Sequence, residues 1–142
     1  KNKSYNHDGI KYDWKKNYEK NLKIWNILSK NLGFKTLFVL QPFFQWIDKN
    51  PSIEEQKIFE ELKNNNSQKV ISSLMSIKKD NYNEAIFFFR EVCKKNNISF
   101  LDMNKLISQN ESINKWLFVD SIHLNDYGYE FIAKNILNYL ND

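Results

Sequence analysis

The sequence predicts an α/β protein in which amphipathic helices pack against a parallel β-sheet. An amphipathic helical segment is followed by a glycine and then by a continuous apolar run at residues 36–40. Unbroken apolar runs of this length are typical of strands buried on both faces of a parallel sheet. A second short apolar run, at residues 98–101, follows further helical segments. This alternation of helices and strands is the pattern of βαβ-type folds.

The composition is that of one folded domain spanning residues 1–142. Hydrophobic residues make up 42% of the chain and aromatic residues 15%. This apolar content excludes an intrinsically disordered segment, which would lack the apolar area that offsets chain entropy. Only 3 Gly and 2 Pro are present, so we expect long elements and few tight turns.

The charge pattern argues against nucleic acid or a membrane as a partner. The net charge is only +4, and the lysines are scattered through the predicted helices. Electrostatic binders instead concentrate their charge on one face. No run reaches the roughly 18 apolar residues of a membrane span, and no signal-peptide pattern opens the chain. We therefore expect neither a nucleic-acid partner nor a membrane span, and the cellular compartment stays open.

The metal-ligating residue types are too few and too scattered for a metal site. Cys93 is the only cysteine, so an intrachain disulfide is excluded. It lies within a helical pattern, which favours a buried structural thiol. Two distant histidines and one cysteine offer no ligand spacing. We expect no metal and no cofactor.

The first predicted elements are a polar loop and a long helix. Residues 1–11 have no apolar period, and within them His7 and Asp8 are the weaker functional candidates. Over residues 12–32 apolar side chains recur every three or four positions, which is the spacing of one helix face. Gly33 follows at the position where a helix end favours a left-handed residue.

The strand predicted at residues 36–40 ends at Gln41 and Pro42. Proline has no N–H to donate to a sheet and restrains the residue before it. An aromatic-rich loop with the sequence FFQWIDKNP follows at residues 43–51. Its aromatic side chains either cover the core or line a substrate cleft, because sites in open α/β sheets lie at this edge. The sequence favours neither interpretation.

Helices are predicted to fill most of the region between the two strands. Ser52 and Glu55 have the spacing of a capping box, which predicts a helix over residues 53–63. Helical periodicity resumes over residues 68–78 and again over residues 82–95. Asp80 or Asn81 is the predicted N-cap of the last of these.

The second predicted strand, at residues 98–101, leads into Asp102. We interpret Asp102 either as a functional carboxylate at the end of a strand or as the cap of the turn at residues 104–106. The terminal helix is predicted over residues 126–141, with Asn125 as its N-cap.

The strongest functional signal lies just before that helix. The apolar run WLFV at residues 116–119 leads into Asp120 and His123. A polar loop between an apolar run and a helix is where parallel α/β proteins place their chemistry. A histidine can take a proton from a hydroxyl and pass it to a leaving group, and it does so best when a carboxylate holds its other ring nitrogen. Asp120 and His123 are therefore our candidate catalytic residues.

An Asp-x-x-His pair on its own is a weak signal. The alternative interpretation is a surface acid and a histidine that caps the terminal helix. Ser121 lies between the two residues, and nothing in its sequence context marks it as a nucleophile.

The sequence DSIHLNDYG at residues 120–128, followed by an amphipathic helix, resembles the last conserved block of the SGNH (GDSL-type) hydrolase superfamily. LFVLQP at residues 37–42 looks like the family's later buried strand, which ends in a proline. The order of elements also resembles the second half of that fold. The resemblance implies a three-layer α/β/α, flavodoxin-like architecture with a parallel sheet, here without its N-terminal strands. It also implies a Ser-His-Asp triad in which Asp120 orients and His123 acts as the base.

Two motifs of that family do not occur in the 142 residues. The family's nucleophile lies in a Gly-Asp-Ser motif, and its oxyanion donors are a glycine and the asparagine of a Gly-x-Asn-Asp motif. We therefore expect the chain to be the C-terminal portion of such a hydrolase domain, with the nucleophile encoded upstream or absent.

Three functions of different class follow from the sequence. The first is an SGNH-type hydrolase that cleaves or deacetylates acyl or carbohydrate esters. The second is a non-catalytic α/β interaction or carbohydrate-binding module, and the third is a basic nucleic-acid-binding domain whose binding falls steeply with salt. A sheet of two or three strands has an open edge, so we expect a partner chain or an N-terminal segment to complete it.

Overall fold

The computed structural model describes residues 13–64, 79–110 and 114–141. Within these ranges the chain forms five α-helices and two β-strands. In chain order the elements are α1 (Trp14–Leu32), β1 (Leu37–Leu40), a 3₁₀ turn (Phe44–Trp46), α2 (Ile53–Asn64), α3 (Lys79–Lys95), β2 (Ser99–Asp102), α4 (Met103–Ser108) and α5 (Asp126–Asn141).

The two strands form a small parallel sheet. Leu37 of β1 lies opposite Ser99 of β2, and Leu40 lies opposite Asp102. The prediction of an α/β protein with a parallel sheet is confirmed at this level. Because the strands are parallel, their carboxyl ends lie at the same edge of the sheet. The segments that follow β1 and β2 therefore start side by side.

β1 is less buried than its apolar sequence predicts. Only Leu40 is buried, and the other three residues of the strand are partly exposed. The prediction of burial on both faces is therefore wrong for β1. The reason is the size of the sheet: among the described residues β1 pairs with β2 alone.

Both ends of α1 are capped by the residue types that the sequence supplies. The Asp13 carboxylate accepts the Lys16 backbone N–H at 3.1 Å. At the other end Gly33 adopts the left-handed conformation, with φ of 73°, and donates its N–H to the Ser29 carbonyl at 2.9 Å. The predicted helix and its glycine end are confirmed, with the start two residues later than residue 12.

The first hydrophobic core lies between α1, α3 and the sheet. Leu22, Leu40 and Phe89 are buried in it, and Phe38 stacks on Phe89 with ring centroids 4.8 Å apart. Cys93 belongs to the same core and is 1% exposed. Burial raises the pKa of the Cys93 thiol to about 11. The prediction of a buried structural thiol is confirmed, since at neutral pH such a thiol is not a nucleophile.

A second hydrophobic core includes the apolar run that precedes the Asp-x-x-His motif. Its buried members are Ile47, Ile107, Leu117, Phe118 and Leu124. The ring of Phe44 contacts the fully buried Phe118 edge to face, with centroids 5.4 Å apart. Residues 116–119 do not form a third strand, because Phe118 makes only an isolated antiparallel bridge with Leu124.

The two faces of β1 have different neighbours. Successive residues of a strand point to opposite faces of the sheet. Phe38 and Leu40 pack into the core with α1 and α3. Val39 instead lines a cavity with Tyr129 and Ile132 of α5.

The remaining helix predictions divide into confirmed, corrected and undescribed ones. The helices predicted over residues 53–63 and 126–141 are confirmed, with α2 one residue longer. Neither Asp80 nor Asn81 is an N-cap, because α3 already includes Lys79 and both residues lie in its first turn. The helix predicted over residues 68–78 and the loop that contains His7 and Asp8 lie outside the described residues.

Candidate functional site

The chain that leaves β1 holds the loop of residues 120–123 in place. Phe44 donates its backbone N–H to the carbonyl oxygen of Ser121 at 2.9 Å. The Gln41 side-chain amide donates to the carbonyl oxygen of Ile122 at 2.8 Å. Gln45 donates in the same way to the Ser121 hydroxyl at 3.1 Å. The loop therefore lies at the carboxyl end of β1, the edge at which α/β proteins place their sites.

The chain that leaves β2 is capped by Asp102. The Asp102 carboxylate accepts the backbone N–H of Asn104 at 3.1 Å and that of Lys105 at 3.4 Å, which caps α4. It also accepts the hydroxyl of Tyr82. Burial, together with this hydrogen bond, raises the pKa of Tyr82, so the phenol remains a donor. Of the two interpretations that the sequence left open for Asp102, the structure therefore supports the cap and not the functional carboxylate.

Asn104 joins the two strand ends. Its side chain is fully buried. The amide oxygen accepts the Phe43 backbone N–H at 2.8 Å, and the amide nitrogen donates to the Gln41 carbonyl at 3.1 Å. Because buried polar groups need such partners, this side chain fixes the direction in which the chain leaves β1.

Glu55 anchors the segment that leads into the Asp-x-x-His motif. The predicted capping box is confirmed: Glu55 accepts the Ser52 N–H at 2.7 Å and donates its own N–H to the Ser52 hydroxyl at 3.2 Å. The other carboxylate oxygen accepts the backbone N–H groups of Leu117 and Phe118, both at 3.0 Å. Lys49 forms an ion pair with the same carboxylate at 2.6 Å, and both side chains are 0% exposed.

The loop also closes on itself at its base. Val119 donates its N–H to the His123 carbonyl at 3.0 Å, and Asn125 donates to the Leu117 carbonyl at 2.8 Å. The Asn125 side chain accepts the Gly128 N–H at 2.9 Å, which confirms Asn125 as the N-cap of α5. The start of α5 is therefore fixed to the base of the loop.

Asp120 and His123 are in direct contact. Nδ1 of His123 lies 2.7 Å from Oδ2 of Asp120. The other carboxylate oxygen of Asp120 accepts the backbone N–H groups of Ile122 at 2.8 Å and of His123 at 2.7 Å. Partial burial opposes ionisation of Asp120. The hydrogen bonds from the His123 ring and from the two backbone N–H groups outweigh it and lower the pKa of Asp120. The carboxylate is thus ionised at neutral pH.

The contact with Asp120 leaves Nε2 as the ring nitrogen of His123 that can meet a reacting group. Among the described residues, Nε2 makes no hydrogen bond. A cavity of about 360 Å³ adjoins the ring. It is lined by Val39, Gln41, Pro42, Ile122, His123, Leu124, Tyr129 and Ile132. The imidazole is 57% exposed, so a ligand can reach it from solvent.

Ser121 is not arranged as a nucleophile. It is only 6% exposed, and its hydroxyl accepts the Gln45 amide rather than contacting His123. The serines of residues 13–64, 79–110 and 114–141 make no hydrogen bond to the imidazole.

The aromatic loop at residues 43–51 serves mainly to cover the core. Phe43 and Ile47 are buried, and Phe44 packs between Phe59 and Phe118. The cavity beside His123 has no aromatic wall from this loop. Trp46 instead lines a different cavity, of about 490 Å³, between the starts of α1 and α3.

Sequence reasoning missed the residues that position the loop. The local pattern marks Gln41 only as a strand end and Asn104 only as part of a turn. Glu55 was assigned to its local cap, which uses one of its two oxygens. A charged residue in a capping box normally remains at the surface. Glu55 is buried instead, and a single sequence contains no pattern that predicts this burial.

The described residues contain neither a membrane-spanning helix nor a cluster of metal-ligating side chains. None of the helices in residues 13–64, 79–110 and 114–141 is both long and apolar enough to cross a bilayer. In the same part of the chain, no group of three or more His, Cys, Asp or Glu side chains is arranged to hold a metal ion.

Comparison with known proteins assigns no family to the chain. No model of a known protein family matches the sequence, and no curated protein matches it at a significant level. The geometry of residues 120–123 is therefore the observation from which a function can be inferred.

Proposed function

We propose that the chain carries the acid and base of a Ser-His-Asp triad in an SGNH-type ester hydrolase. The observation that carries the proposal is the 2.7 Å contact between Nδ1 of His123 and the Asp120 carboxylate. A carboxylate in this position fixes the tautomer of the imidazole and stabilises the imidazolium that forms during acyl transfer. The backbone N–H groups of Ile122 and His123 hold the carboxylate in turn, so its orientation does not depend on the imidazole ring.

The reaction would proceed through Nε2 of His123. Nε2 takes the proton of a serine hydroxyl as the serine oxygen bonds to the ester carbonyl carbon. It then gives that proton to the alcohol that leaves, and water repeats the cycle to release the acid. Asp120 remains ionised throughout. The proposal assigns the serine and the oxyanion donors to a segment other than the described residues.

The arrangement of the elements supports the three-layer architecture that this function implies. α1 and α3 pack on one face of β1, and α5 lies on the side of the other face. The Asp-x-x-His loop lies at the carboxyl edge of the strands. Both features agree with an α/β/α hydrolase of which β1 and β2 are two of the strands.

The cavity beside His123 suggests the class of substrate. Its lining is mainly apolar, with Val39, Leu124 and Ile132, and has the amide of Gln41 as a polar group. Such a lining suits an acyl or acetyl group, with the alcohol part of the ester toward solvent. We therefore propose acyl or carbohydrate esters as substrates.

Reaction with a fluorophosphonate probe tests the proposal on the longest natural form of the protein. We expect one serine to be labelled, and mass mapping to place the label outside residues 13–64, 79–110 and 114–141. His123→Ala should reduce labelling and ester hydrolysis by at least about 10²-fold, since a general base contributes 10²–10⁴-fold.

The matched controls are His7→Gln and Asp48→Asn. The first removes the other histidine of the sequence, and the second removes an acid that is 85% exposed and pairs with Lys79. Both controls should keep the labelling. Near-normal turnover in His123→Ala or Asp120→Asn would refute the proposal.

A non-catalytic carbohydrate-binding module is the second candidate, and one observation favours it. Trp14, Tyr18, Trp46 and Phe89 line the cavity of about 490 Å³, together with polar side chains that include Glu84. Aromatic walls with a few polar groups are typical of small-molecule pockets. Under this function the bonds of Asp120 to Ile122 and His123 would serve only to shape the turn.

Glycan binding separates the two candidates. If the second is correct, soluble oligosaccharides should change the tryptophan fluorescence, and Trp46→Ala should weaken binding by about tenfold or more. His123→Ala should leave that binding unchanged. Absence of binding, with serine labelling intact, would exclude the module.

A further inference from the structure

Glu55 is a buried carboxylate that the proposed chemistry does not use. Its side chain is 0% exposed, yet it accepts four hydrogen bonds. An ionised group survives burial only when it is paired and its lone pairs are satisfied. The four donors meet both conditions, two on each carboxylate oxygen.

These donors come from two distant parts of the chain. One oxygen accepts from Ser52 and Lys49, at the start of α2. The other accepts from the backbone of Leu117 and Phe118, more than 60 positions later. Lys49 reinforces the link, because its ammonium also donates to the carbonyl of Lys115 at 3.0 Å.

The anchored backbone leads directly into the candidate catalytic pair. Asp120 follows Phe118 by two residues, and the same backbone is tied to the far side of the loop, because Val119 donates its N–H to the His123 carbonyl and Asn125 donates to the Leu117 carbonyl. We infer that Glu55, paired with Lys49, is a positioning residue that holds residues 115–118 so that Asp120 and His123 meet. The inference deepens the proposed function, because it concerns the same two residues.

A carboxylate suits this task better than its amide. Leu117, Phe118, Ser52 and Lys49 all present N–H donors to it. A glutamine at this position would replace one oxygen with an NH₂ group, which has donors and no acceptor. In Glu55→Gln this NH₂ group would face other donors, either the Ser52 N–H and the Lys49 ammonium or the backbone N–H groups of Leu117 and Phe118. The hydrogen bonds at that oxygen position would therefore be lost.

The experiment observes His123 directly rather than through activity. In a His7→Gln background of the full chain, His123 is the only imidazole. The ¹⁵N chemical shifts of its ring nitrogens report which nitrogen carries the proton at neutral pH. A synthetic peptide with the sequence DSIHLN supplies the ¹⁵N chemical shifts of the same histidine without the anchoring by Glu55. Amide hydrogen exchange of Leu117 and Phe118 reports the anchoring itself.

We expect the background protein to show the Nδ1–H tautomer and slow exchange at both amides. Glu55→Ala should shift the ring to the tautomer mixture of the peptide and speed exchange of both amides by at least about tenfold. Glu55→Gln should lie between the two. Glu60→Gln is the matched control, because Glu60 is exposed on the same helix. It should leave both readings unchanged.

A folded Glu55→Ala protein that keeps the tautomer of the background would overturn the inference. If Glu55→Ala does not fold, the Glu55→Gln protein, held folded with sucrose, decides by the same criterion. Neither reading depends on hydrolysis. Failure of the fluorophosphonate test would therefore remove the hydrolase without changing this result, and an unchanged tautomer would remove the positioning role without changing the hydrolase.

Discussion

At the scale of single residues, the Asp120 carboxylate bonds both to the backbone of its loop and to the imidazole of His123. One oxygen accepts two N–H groups of the loop, and the other contacts Nδ1 of His123. The loop bonds alone would shape the turn, and the imidazole bond alone would leave the carboxylate free to rotate. Together they hold His123 in one orientation.

Replacement of Asp120 by Asn should make the free energy of unfolding depend less on pH in the acid range. The pKa of Asp120 is lowered in the folded protein from 3.8, so its contribution to stability is complete above about pH 5 and is lost as the pH falls through the lowered pKa. Asp120→Asn should therefore be less stable near neutral pH, by about 1 kcal/mol because the side chain is 35% exposed, and should converge with the unaltered protein in acid. Urea unfolding between pH 3 and pH 7 measures both curves, and a difference that is the same at pH 3 as at pH 7 would contradict this explanation.

Removal of Lys49 should destabilise the fold severely. In Lys49→Met the Glu55 carboxylate stays buried and loses the opposite charge that pairs with it among the described residues. We expect the free energy of unfolding to fall by about 3–5 kcal/mol, the usual result of breaking a buried ion pair from one side. Equilibrium denaturation measures the loss. The exposed Lys57, on the same helix as Glu55, provides the control, and an equal loss in Lys57→Met would contradict this explanation.

At the scale of elements, α5 packs closely on the base of the loop at Gly128. A Cβ atom there would lie 2.9 Å from Cβ of Leu124 and 3.0 Å from the carbonyl oxygen of Leu117. Neither atom belongs to the flexible end of a side chain. The glycine therefore permits the helix to approach the loop, and this need is one of packing.

Gly128→Ala should cost stability although alanine favours helices. The crowding of Leu117 and Leu124 should lower the free energy of unfolding by about 1–3 kcal/mol. Asn138→Ala, at an exposed position of the same helix, should leave it unchanged or raise it slightly. Thermal unfolding of the two variants checks the difference. An equally stable Gly128→Ala protein would mean that the loop can move away from α5.

The elements that the sequence predicted well are those decided by local pattern. α5 could be predicted with both ends because its N-cap and apolar spacing lie within sixteen residues. The run at residues 116–119 has the composition of a strand, but the backbone N–H groups of Leu117 and Phe118 bond to the Glu55 side chain instead of a neighbouring strand. Tertiary contacts therefore overrode local preference. Asp120 and His123 could be predicted because they lie three positions apart in one loop. Gln41 and Asn104 could not, because their hydrogen bonds join segments that are distant in the sequence.

At the scale of the whole molecule, apolar side chains remain exposed on four of the described helices. Leu32 of α1 and Leu140 of α5 are 70% and 62% exposed, and Leu137 is 58% exposed. Exposed apolar patches often mark contact surfaces. The small sheet adds an edge of β1 that no described strand covers.

We therefore expect the 142-residue chain to associate with itself when it is produced alone. Sedimentation equilibrium should give an apparent mass that rises with concentration above the 17.1 kDa of one chain. Replacement of Leu137 and Leu140 by lysine should reduce the rise, because it removes exposed apolar area from α5. A single 17.1 kDa species at every concentration would contradict the expectation.

The anchoring of the Asp-x-x-His loop by Gln41, Phe44 and Glu55 also determines when the loop can form during folding. These contacts span 62 to 81 positions of the chain, so their formation must first overcome the entropy of closing long loops. α1, in contrast, is built from contacts four residues apart. Pulse-labelled hydrogen exchange during refolding should therefore find the amides of Leu117 and Phe118 protected later than those of α1. The imidazole and its carboxylate would then come together among the last events of folding, after the rest of the chain has assembled the support on which they depend.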